Sequence, residues 1–554
     1  MAKPTSRPQL SLEAAHLWDE AAGIPEEHWS RAFFTKVYLG FDDAQFADVY
    51  EDGGRYPVSP RLLAGITILQ YMFKVSDRAA VDNSLMRRDW RVALGRELSY
   101  EGFDPSVLCR FRQRLQQAGR IRELFDTIVR RLREEGLVRG RRLRVDATKL
   151  IADVAALSRA DMIQEAIRIV VHDLYRRYPE LQQRPDFLRL HEQYGEEVWL
   201  GGGSSGEQKL TDLGRDARAL LALCGERAAK GKDVLAQIGA ENFLFPEEGE
   251  PQPLAGDERP KDHIVTPHEP DVRTGCQNET CWTGDKVHFV ETAAEGGENF
   301  IVDVVTTDPR VTDDTMLPEI AQRVRFAVPE AEVLLADGGY ASAANTKEAA
   351  GVGLDLVTRP RANTAKNQIS ASDFDFDFER QVARCPEGHE SVWWRPKGRE
   401  IQIRFPTAAC RACPRRAKCT TSQRGRYLGI SKDYEQLVQD RRRAQTPEYA
   451  REYRRRAPIE ATISQLVHQC GLRRSRYRGQ AQREWHALTA ATALNVRRWL
   501  RCGVSAAAPQ EGLGGVLAHV GRAASHGFLA LLRAIRGPIP GLAPTGSRIV
   551  FAPT

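Results

Sequence analysis

A succession of strand-like segments constrains the fold of this chain more than any other feature. The predicted strands are residues 143–150, 286–291, 300–307, 332–336 and 355–358. The second and third flank a Gly-rich turn at 295–298 and predict a hairpin, and a helical run beginning at Asp314 precedes the fourth. This order favours an α/β fold, in which helices cover a mixed sheet.

Two long regions carry apolar residues at helical spacing, residues 1–140 and 155–240. In the first, Asp104-Pro105 predicts a helix start, because Asp caps helices and Pro favours their first position. The helix that follows has one apolar face, and arginines including Arg112 lie on the other faces. The N-terminal region is therefore either a helical bundle with a solvated basic side or a module that binds DNA ends.

Composition excludes two broad classes of protein. Of the 554 residues, 42% are hydrophobic and 28% are charged, which excludes wholesale disorder. The N-terminus lacks the apolar segment of a secretory signal, and no run of about 18 apolar residues predicts a membrane span. We therefore expect a cytoplasmic, nucleoid-associated protein with no membrane partner.

The segment from Arg441 to Arg501 holds most of the positive charge. It contains 15 Arg and 4 Glu, a net charge of +11, whereas the whole chain carries only +6. Such a charge density favours a polyphosphate partner. Glu460 lies inside this segment, and an isolated carboxylate there suits metal ligation beside a phosphate.

Three acidic residues stand out by their context. Asp146 lies mid-strand on the face opposite the apolar residues, and Asp337 ends a buried strand, where ligand sites of α/β sheets form. Glu460 lies at the edge of a helical apolar stripe. If the three carboxylates meet, they need cations, and their oxygens select Mg²⁺ or Mn²⁺. Two such ions activate water and stabilise the leaving oxygen of a phosphodiester.

The motifs VDATKL, LLADGGYAS and YRRRAPIEATISQ…GLRRSRYRG resemble the three catalytic blocks of DDE transposases of bacterial insertion sequences, most closely the eleven-eighty-two group. The segment from LLAGITILQYMF to SVLCRFRQRL resembles that family's N-terminal domain. The resemblance implies a ribonuclease-H-like core with Asp146 on its first strand, Asp337 after its fourth and Glu460 on a later helix. It also implies two Mg²⁺ or Mn²⁺ ions, double-stranded DNA as partner (terminal inverted repeats and target DNA) and a homodimer on DNA.

The family's final block pairs its Glu with an upstream Tyr and Arg, here Tyr453 and Arg456. The resemblance implies that Arg456 holds the reacting phosphate; the alternative is a solvated basic residue. Pro458 leaves open whether the helix of Glu460 includes Tyr453, because proline favours a helix start. Val467 and Gln482 stand where relatives carry Lys. The predicted substitutes as phosphate contacts are Arg473, Arg474, Arg476 and Arg478.

Four cysteines cluster late in the chain, Cys385, Cys410, Cys413 and Cys419. The C-x₂-C pair suits one edge of a tetrahedral site, and four thiolates without a vacancy predict structural Zn²⁺. The alternative is four reduced thiols without a ligand, and His389 is a possible substitute ligand. Relatives carry a similar cluster.

Several other residues receive ordinary interpretations. Cys276 and Cys281 are predicted to be two free thiols rather than a bonded pair. Lys286 and His288 are predicted to lie on a solvated strand face. Asp313, with its neighbour Asp314, is predicted to cap the following helix.

The sequence therefore predicts a ribonuclease-H-like mixed sheet core with an N-terminal helical domain, a helical insertion and a small zinc-binding insertion. The predicted function is metal-dependent DNA cleavage at element ends and strand transfer. Two alternatives remain, a non-catalytic DNA-binding protein and a nuclease of the same fold. The predicted segments are 1–140 (N-terminal helical), 141–152 (first core strand), 153–265 (helical insertion and linker), 266–372 (core with Asp337), 373–430 (zinc insertion), 431–503 (basic segment with Glu460) and 504–554 (low-complexity tail).

Overall fold

The computed structural model describes residues 24–50, 57–96, 100–154, 157–195, 206–277, 279–360, 369–398 and 400–502. The N-terminus, where we expect no secretory signal, and the predicted tail from 504 to 554 lie outside these residues. The strands are β1 (Arg142–Ile151), β2 (Phe243–Leu244), β3 (Gln252–Pro253), β4 (Arg273–Gln277), β5 (Thr280–Thr292), β6 (Ile301–Thr307), β7 (Val333–Leu335), β8 (Asp355–Val357), β9 (Asp375–Asp377), β10 (Val382–Arg384), β11 (Trp393–Lys397), β12 (Glu400–Arg404) and β13 (Tyr427–Ser431).

Helices account for most of the remaining described chain. They are α1 (Trp29–Ala32), α2 (Pro60–Phe73), α3 (Asp77–Met86), α4 (Arg88–Ala93), α5 (Ser106–Gln117), α6 (Glu123–Glu134), α7 (Arg159–Arg177), α8 (Pro185–Tyr194), α9 (Glu207–Cys224), α10 (Lys232–Asn242), α11 (Asp313–Ala327), α12 (Ala343–Gly351), α13 (Thr407–Ala412), α14 (Arg416–Cys419), α15 (Tyr434–Ala444), α16 (Pro447–Arg454), α17 (Pro458–Cys470) and α18 (Gln480–Arg501). None of these helices is both long and apolar enough to cross a membrane.

The central sheet is mixed, as the order of predicted strands indicated. Its strands run β6–β5–β1–β7–β8, and β4 extends the sheet by pairing with the first half of β5. The β1–β5, β5–β6 and β4–β5 pairs are antiparallel, whereas β1–β7 and β7–β8 are parallel. The five strands predicted from the sequence are confirmed, with shifts at their ends.

One hydrophobic core joins the N-terminal helices to the sheet. It includes Phe33 and Phe111 from the N-terminal region, Val145 from β1 and Trp499 from α18. Helix α18 is the centre of this arrangement, since it contacts α2, α6, α17 and β6. Helix α2 is buried along nearly its whole length, which suits its continuous apolar sequence.

Helix α5 departs from the expectation of a solvated basic side. Asp104 accepts a hydrogen bond from the Ser106 amide at 2.8 Å, and the helix begins at Ser106, next to the predicted start. Arg112, however, is buried: its guanidinium pairs with Asp77 at 2.6 Å and lies 4.4 Å from the centre of the Tyr477 ring. The prediction of solvation is wrong for Arg112, because helical periodicity does not reveal which second element covers a polar face.

Among the described residues, three smaller hydrophobic cores lie outside the central one, and one of them contains Leu335, Val357 and Tyr449. Helices α7 to α10 surround one that contains Ile167, Phe187 and Leu220. A smaller core, which contains Phe374 and Phe405, forms between β9–β10 and the three-stranded sheet β11–β12–β13.

Cys276 and Cys281 form a disulfide, so the prediction of two free thiols is wrong. The two residues lie directly opposite each other across the β4–β5 pair. Residues opposite in antiparallel strands bring their Cβ atoms close together. The C-x₄-C spacing alone did not reveal this hairpin.

Acid will destabilise the fold through a buried histidine at the packing of α18 on α2. His486 is fully buried, and its ring contacts the Tyr71 hydroxyl at 3.0 Å and the Gly471 carbonyl at 3.2 Å. Burial, with the nearby charge of Arg476, lowers the pKa of His486 to about 4.

Between pH 6.5 and 4 the unfolded chain therefore binds a proton at His486 that the folded chain does not, and stability falls as the pH falls through this window. From pH 7 to pH 5 we expect wild type to lose roughly 2 kcal/mol more than His486→Gln in urea unfolding. His468→Gln, at an exposed histidine, should follow wild type. Equal losses in all three proteins would contradict the prediction.

Candidate active site

Strand pairing brings Asp146 and Asp337 to the same place. In the parallel β1–β7 pair, Arg144 lies opposite Leu335. Asp146 and Asp337 each follow these partners by two residues, so Asp337 comes just after the end of a strand that neighbours the strand of Asp146, and neighbouring strands are about 4.8 Å apart. Asp337 leaves the strand end, where its Oδ1 accepts a hydrogen bond from the Gly339 amide at 2.8 Å.

Glu460 joins this pair from the first turn of α17. The side chain of Glu460 is 67% exposed, and its Oε1 accepts a hydrogen bond from Arg456 Nη2 at 2.8 Å. The same guanidinium contacts Asp146 Oδ2 through Nη1 at 3.1 Å. One arginine therefore bridges two of the three predicted acids.

The surroundings of Asp146 raise the pKa of its carboxyl group. Burial raises the pKa of Asp146 to about 6, against the hydrogen bond from the Ala147 amide. The charges of Asp337 and Glu460 add to the rise, and Arg456 opposes it. The three carboxylates are thus close enough to interact electrostatically.

A turn separates α16 from α17, so the helix of Glu460 does not include Tyr453. Helix α16 ends at Arg454 and α17 begins at Pro458, so Tyr453 and Glu460 lie on different helices. Tyr453 is half-buried, and its ring centre lies 6.0 Å from the guanidinium carbon of Arg456. The three residues are therefore neighbours without sharing one helical stripe.

A buried polar cluster underlies the acids, and Glu291 is at its centre. Glu291 has 0% exposure. It accepts hydrogen bonds from Arg144 Nε at 2.7 Å and from the Thr462 hydroxyl at 2.6 Å. Arg498 also donates to Glu291, and its second nitrogen donates to the Thr462 hydroxyl at 2.7 Å. The carboxylate is therefore paired with two guanidinium groups and one hydroxyl.

This cluster fixes the distance between the helix and the strand that carry the acids. Arg144 precedes Asp146 by two residues on β1, and Thr462 follows Glu460 by two residues on α17. Because Glu291 binds both, the cluster attaches α17 to the sheet beside the acids.

On the opposite face of the sheet, Lys286 and His288 are buried or nearly so, and the prediction of a solvated face is wrong. His288 has no exposure, and its Nδ1 lies 2.6 Å from the Tyr340 hydroxyl. Burial lowers the pKa of His288 to about 4. The Lys286 ammonium pairs with Asp313 at 3.0 Å.

Asp313 is a fourth acid at this end of the sheet, which sequence reasoning missed. It makes no side-chain cap of α11, whose N-cap residue is Thr312, so the capping prediction is wrong for Asp313. A Cβ atom added to Gly339 would lie 2.9 Å from an oxygen of Asp313 and 2.9 Å from an oxygen of Asp337. A larger residue at this position would displace both carboxylates. In the sequence, the alternation of Lys286 and His288 along β5 was the available sign that polar side chains lie near Asp313.

The predicted phosphate contacts divide into two kinds. Arg473 donates to the Lys149 carbonyl at 3.0 Å, and Arg476 donates to the Val75 carbonyl at 2.6 Å. Both guanidinium groups are therefore engaged in the fold. Arg474 and Arg478 are exposed, and Arg474 is 4.0 Å from Asp153. The guanidinium groups of Arg474 and Arg478 are therefore more accessible to a phosphate than those of Arg473 and Arg476.

Four cysteine side chains line one small cavity beside Phe374 and Phe405. They are Cys385, Cys410, Cys413 and Cys419, all free thiols, and the cavity measures about 30 Å³. Burial raises the pKa of Cys419, and the neighbouring three thiols add to the rise. Across the described ranges, no group of three or more His, Cys, Asp or Glu side chains is already arranged as a metal-ion site.

Comparison with known families identifies two matching segments. Residues 384–500 match the family model described as Transposase DDE domain, and residues 20–114 match Transposase domain (DUF772). The first segment contains Glu460 and the basic stretch around it. These matches support a DDE transposase of insertion sequences and indicate a transposase function. No curated protein and no solved structure matches the chain.

Proposed function

We propose that this protein is an Mg²⁺-dependent DDE transposase that cleaves DNA at element ends and transfers the freed 3′-hydroxyl to target DNA. The observation that carries the proposal is the convergence of three acids: Arg456 bridges Asp146 and Glu460, and Asp337 follows the strand that pairs with the strand of Asp146. These residues come from two strands and a distant helix, within a chain that matches two transposase domains.

The sheet supports a ribonuclease-H-like core. Counting β1, β5, β6, β7 and β8 as first to fifth, the order is third, second, first, fourth, fifth, with the second strand antiparallel to its neighbours. Asp146 lies on the first strand and Asp337 directly after the fourth, as the family resemblance implies. Helices α7 to α10 then form an insertion between the first two strands of this core.

The donor atoms at the site fit hard divalent cations. Asp146, Asp337 and Glu460 supply only carboxylate oxygens, which Mg²⁺ and Mn²⁺ prefer. Burial, and then the charges of Asp337 and Glu460, raise the pKa of Asp146; nearby positive charge opposes this rise, and Arg456 supplies part of it. When bound, two such ions would supply Lewis-acid activation of the attacking oxygen and stabilisation of the leaving oxygen.

Arg456 then has a second role. Its guanidinium fork matches phosphate oxygens as well as carboxylates, so a DNA phosphate entering the site would compete for its donors. The ring of Tyr453 lies beside Arg456, with its centre 6.0 Å from the guanidinium carbon. Exposed Arg474 and Arg478 extend the positive surface along which the DNA backbone would lie.

The test is incubation of the purified protein with duplexes that carry the terminal inverted repeats flanking its gene. We expect nicked ends and joined products with Mg²⁺ or Mn²⁺ and none with EDTA. Binding without nicking would support a non-catalytic DNA-binding protein, and nicking without joined products would support a nuclease. A joined complex that contains two protein chains and two DNA ends would further support a homodimer on DNA.

We also propose that Cys385, Cys410, Cys413 and Cys419 hold a structural Zn²⁺. Their thiols surround one cavity of about 30 Å³, close to the volume of a single water molecule. Four thiolates are a complete ligand set for tetrahedral zinc, with no open position for chemistry. The small apolar core beside them gives this insertion little other stabilisation.

We expect the purified protein to contain about one zinc per chain by elemental analysis. Cys410→Ser combined with Cys413→Ser should lose most of this zinc, because two of four ligands are replaced. Cys109→Ser, at a free cysteine in α5, is the matched control and should keep it. Equal zinc contents in the two variants would refute the site.

A further inference from the structure

A cleft of about 480 Å³ lies in the helical insertion, away from the acids. It is formed by α7, the start of α10 and the segment Pro267–His268. Its basic lining residues are Arg168, His172, Arg176, Lys230 and His268. Asp173 is the acid among the lining residues, and it already accepts hydrogen bonds from the Lys230 amide at 2.8 Å and from Arg177 at 3.2 Å.

A buried carboxylate orients two of the basic side chains. Glu165 is nearly fully buried and accepts hydrogen bonds from Arg168 Nε and Nη2, each at 2.7 Å. Its Oε1 also lies 3.0 Å from His268 Nε2. Arg168 and His268 are therefore held in fixed positions at the cleft.

Other charges at the cleft remain available. The Arg176 side chain is 71% exposed and lies 3.5 Å from Asp173. Lys230 is exposed, and its ammonium group makes no ion pair with any described residue. Helix α10 begins at the cleft with Gly231 as its N-cap, without a side-chain cap. Its amide groups add partial positive charge.

The cleft is linked to the basic segment after α17. His268 is followed by Glu269, which accepts a hydrogen bond from the Gly479 amide and pairs with Arg483 at 2.6 Å. Exposed Arg478 directly precedes Gly479. The cleft and the exposed end of the basic segment are therefore neighbours, and the carboxylates of Glu269 and Asp271 join them.

We propose that this cleft binds backbone phosphates of duplex DNA, as a contact separate from the catalytic acids. The ligand class follows from the convergence of guanidinium, ammonium and imidazole groups with a helix N-terminus, all of which bind phosphate oxygens. The choice of DNA rests on the proposed function, and the exposed Arg478, next to the Gly479 that binds Glu269, favours it. The helical insertion thereby becomes a DNA-binding element, which extends the contact beyond the cleaved bond.

The test measures binding of the full-length protein to a fluorescent random-sequence duplex, in EDTA, over a series of salt concentrations. We expect Arg176→Ala combined with Lys230→Ala to lower affinity by about tenfold at fixed salt and to reduce the slope of log Kd against log salt by about 2. Arg176→Lys combined with Lys230→Arg should retain the wild-type slope, because both charges remain.

The matched control is Arg184→Ala combined with Arg215→Ala, which removes two exposed charges from the same insertion outside the cleft. A slope equal to wild type in the cleft variant, or an equal reduction in the control, would overturn the proposal, as would a wild-type protein that does not bind the duplex. The two proposals fail separately. If the slope falls as expected but the protein does not cleave DNA, the cleft still binds phosphates and only the proposed function is wrong.

Discussion

Asp337→Asn is expected to lower the rate of DNA cleavage by at least about a thousandfold while leaving DNA affinity nearly unchanged. Asparagine keeps the size of the side chain and can still accept the hydrogen bond from the Gly339 amide, but it removes the charge opposite Asp146. Asp146→Asn should behave in the same way. The measurement is the rate of nicking of a terminal-repeat duplex in Mg²⁺, beside an affinity measurement in EDTA.

Glu332→Gln is the matched control for this experiment. Glu332 lies at the other end of the same strand, where its exposed carboxylate pairs with Arg141 at 2.7 Å. Its replacement removes one negative charge without touching the cluster, so cleavage should stay close to wild type. Near-normal cleavage by Asp337→Asn would remove that residue from the mechanism.

The second large effect is expected at Glu291. Glu291→Gln should lower the free energy of unfolding by about 3–5 kcal/mol, because two buried guanidinium groups lose the carboxylate that balances them. Arg144 and Arg498 would then face an amide that donates hydrogen bonds as well as accepts them. Urea unfolding of wild type and variant measures the difference.

Glu298→Gln serves as the control at the edge of the same cluster. Glu298 also faces Arg498, at 3.9 Å, but it is about one third exposed, and solvent screens the pair. Its replacement should cost no more than about 1 kcal/mol. If both variants lose the same stability, burial of Glu291 is not what makes it important.

The candidate acids have local signals in the sequence, whereas the residues of this cluster have none. Asp337 follows an apolar run and precedes two glycines, a local signal of a strand end. Glu460 stands alone among arginines, which is again visible in a short window. Glu291 ends an ordinary strand pattern, and its partners Arg144 and Arg498 are distant in the chain. Periodicity indicates which face a side chain occupies but not which residue covers it.

Corrections in the fold have the same origin. Lys286 and Arg112 belong to polar faces, which local patterns assign to solvent. Asp313, at a helix start, resembles a cap until the Lys286 ammonium is placed 3.0 Å from it. In each case a second element, remote in sequence, buries or pairs the charge. The disulfide between Cys276 and Cys281 likewise follows from the register of the β4–β5 hairpin, which the sequence did not reveal.

By itself, the sequence determined the local order of strands and helices, the concentration of positive charge and the isolation of single acids within it. These follow from short-range periodicity and composition. The tertiary structure alone decided that β1 and β7 pair with Arg144 opposite Leu335, which brings Asp337 to the strand that carries Asp146. It also decided that Glu291 attaches α17 to the sheet. Contacts between segments depend on complementary packing of whole surfaces, and no local pattern carries that information.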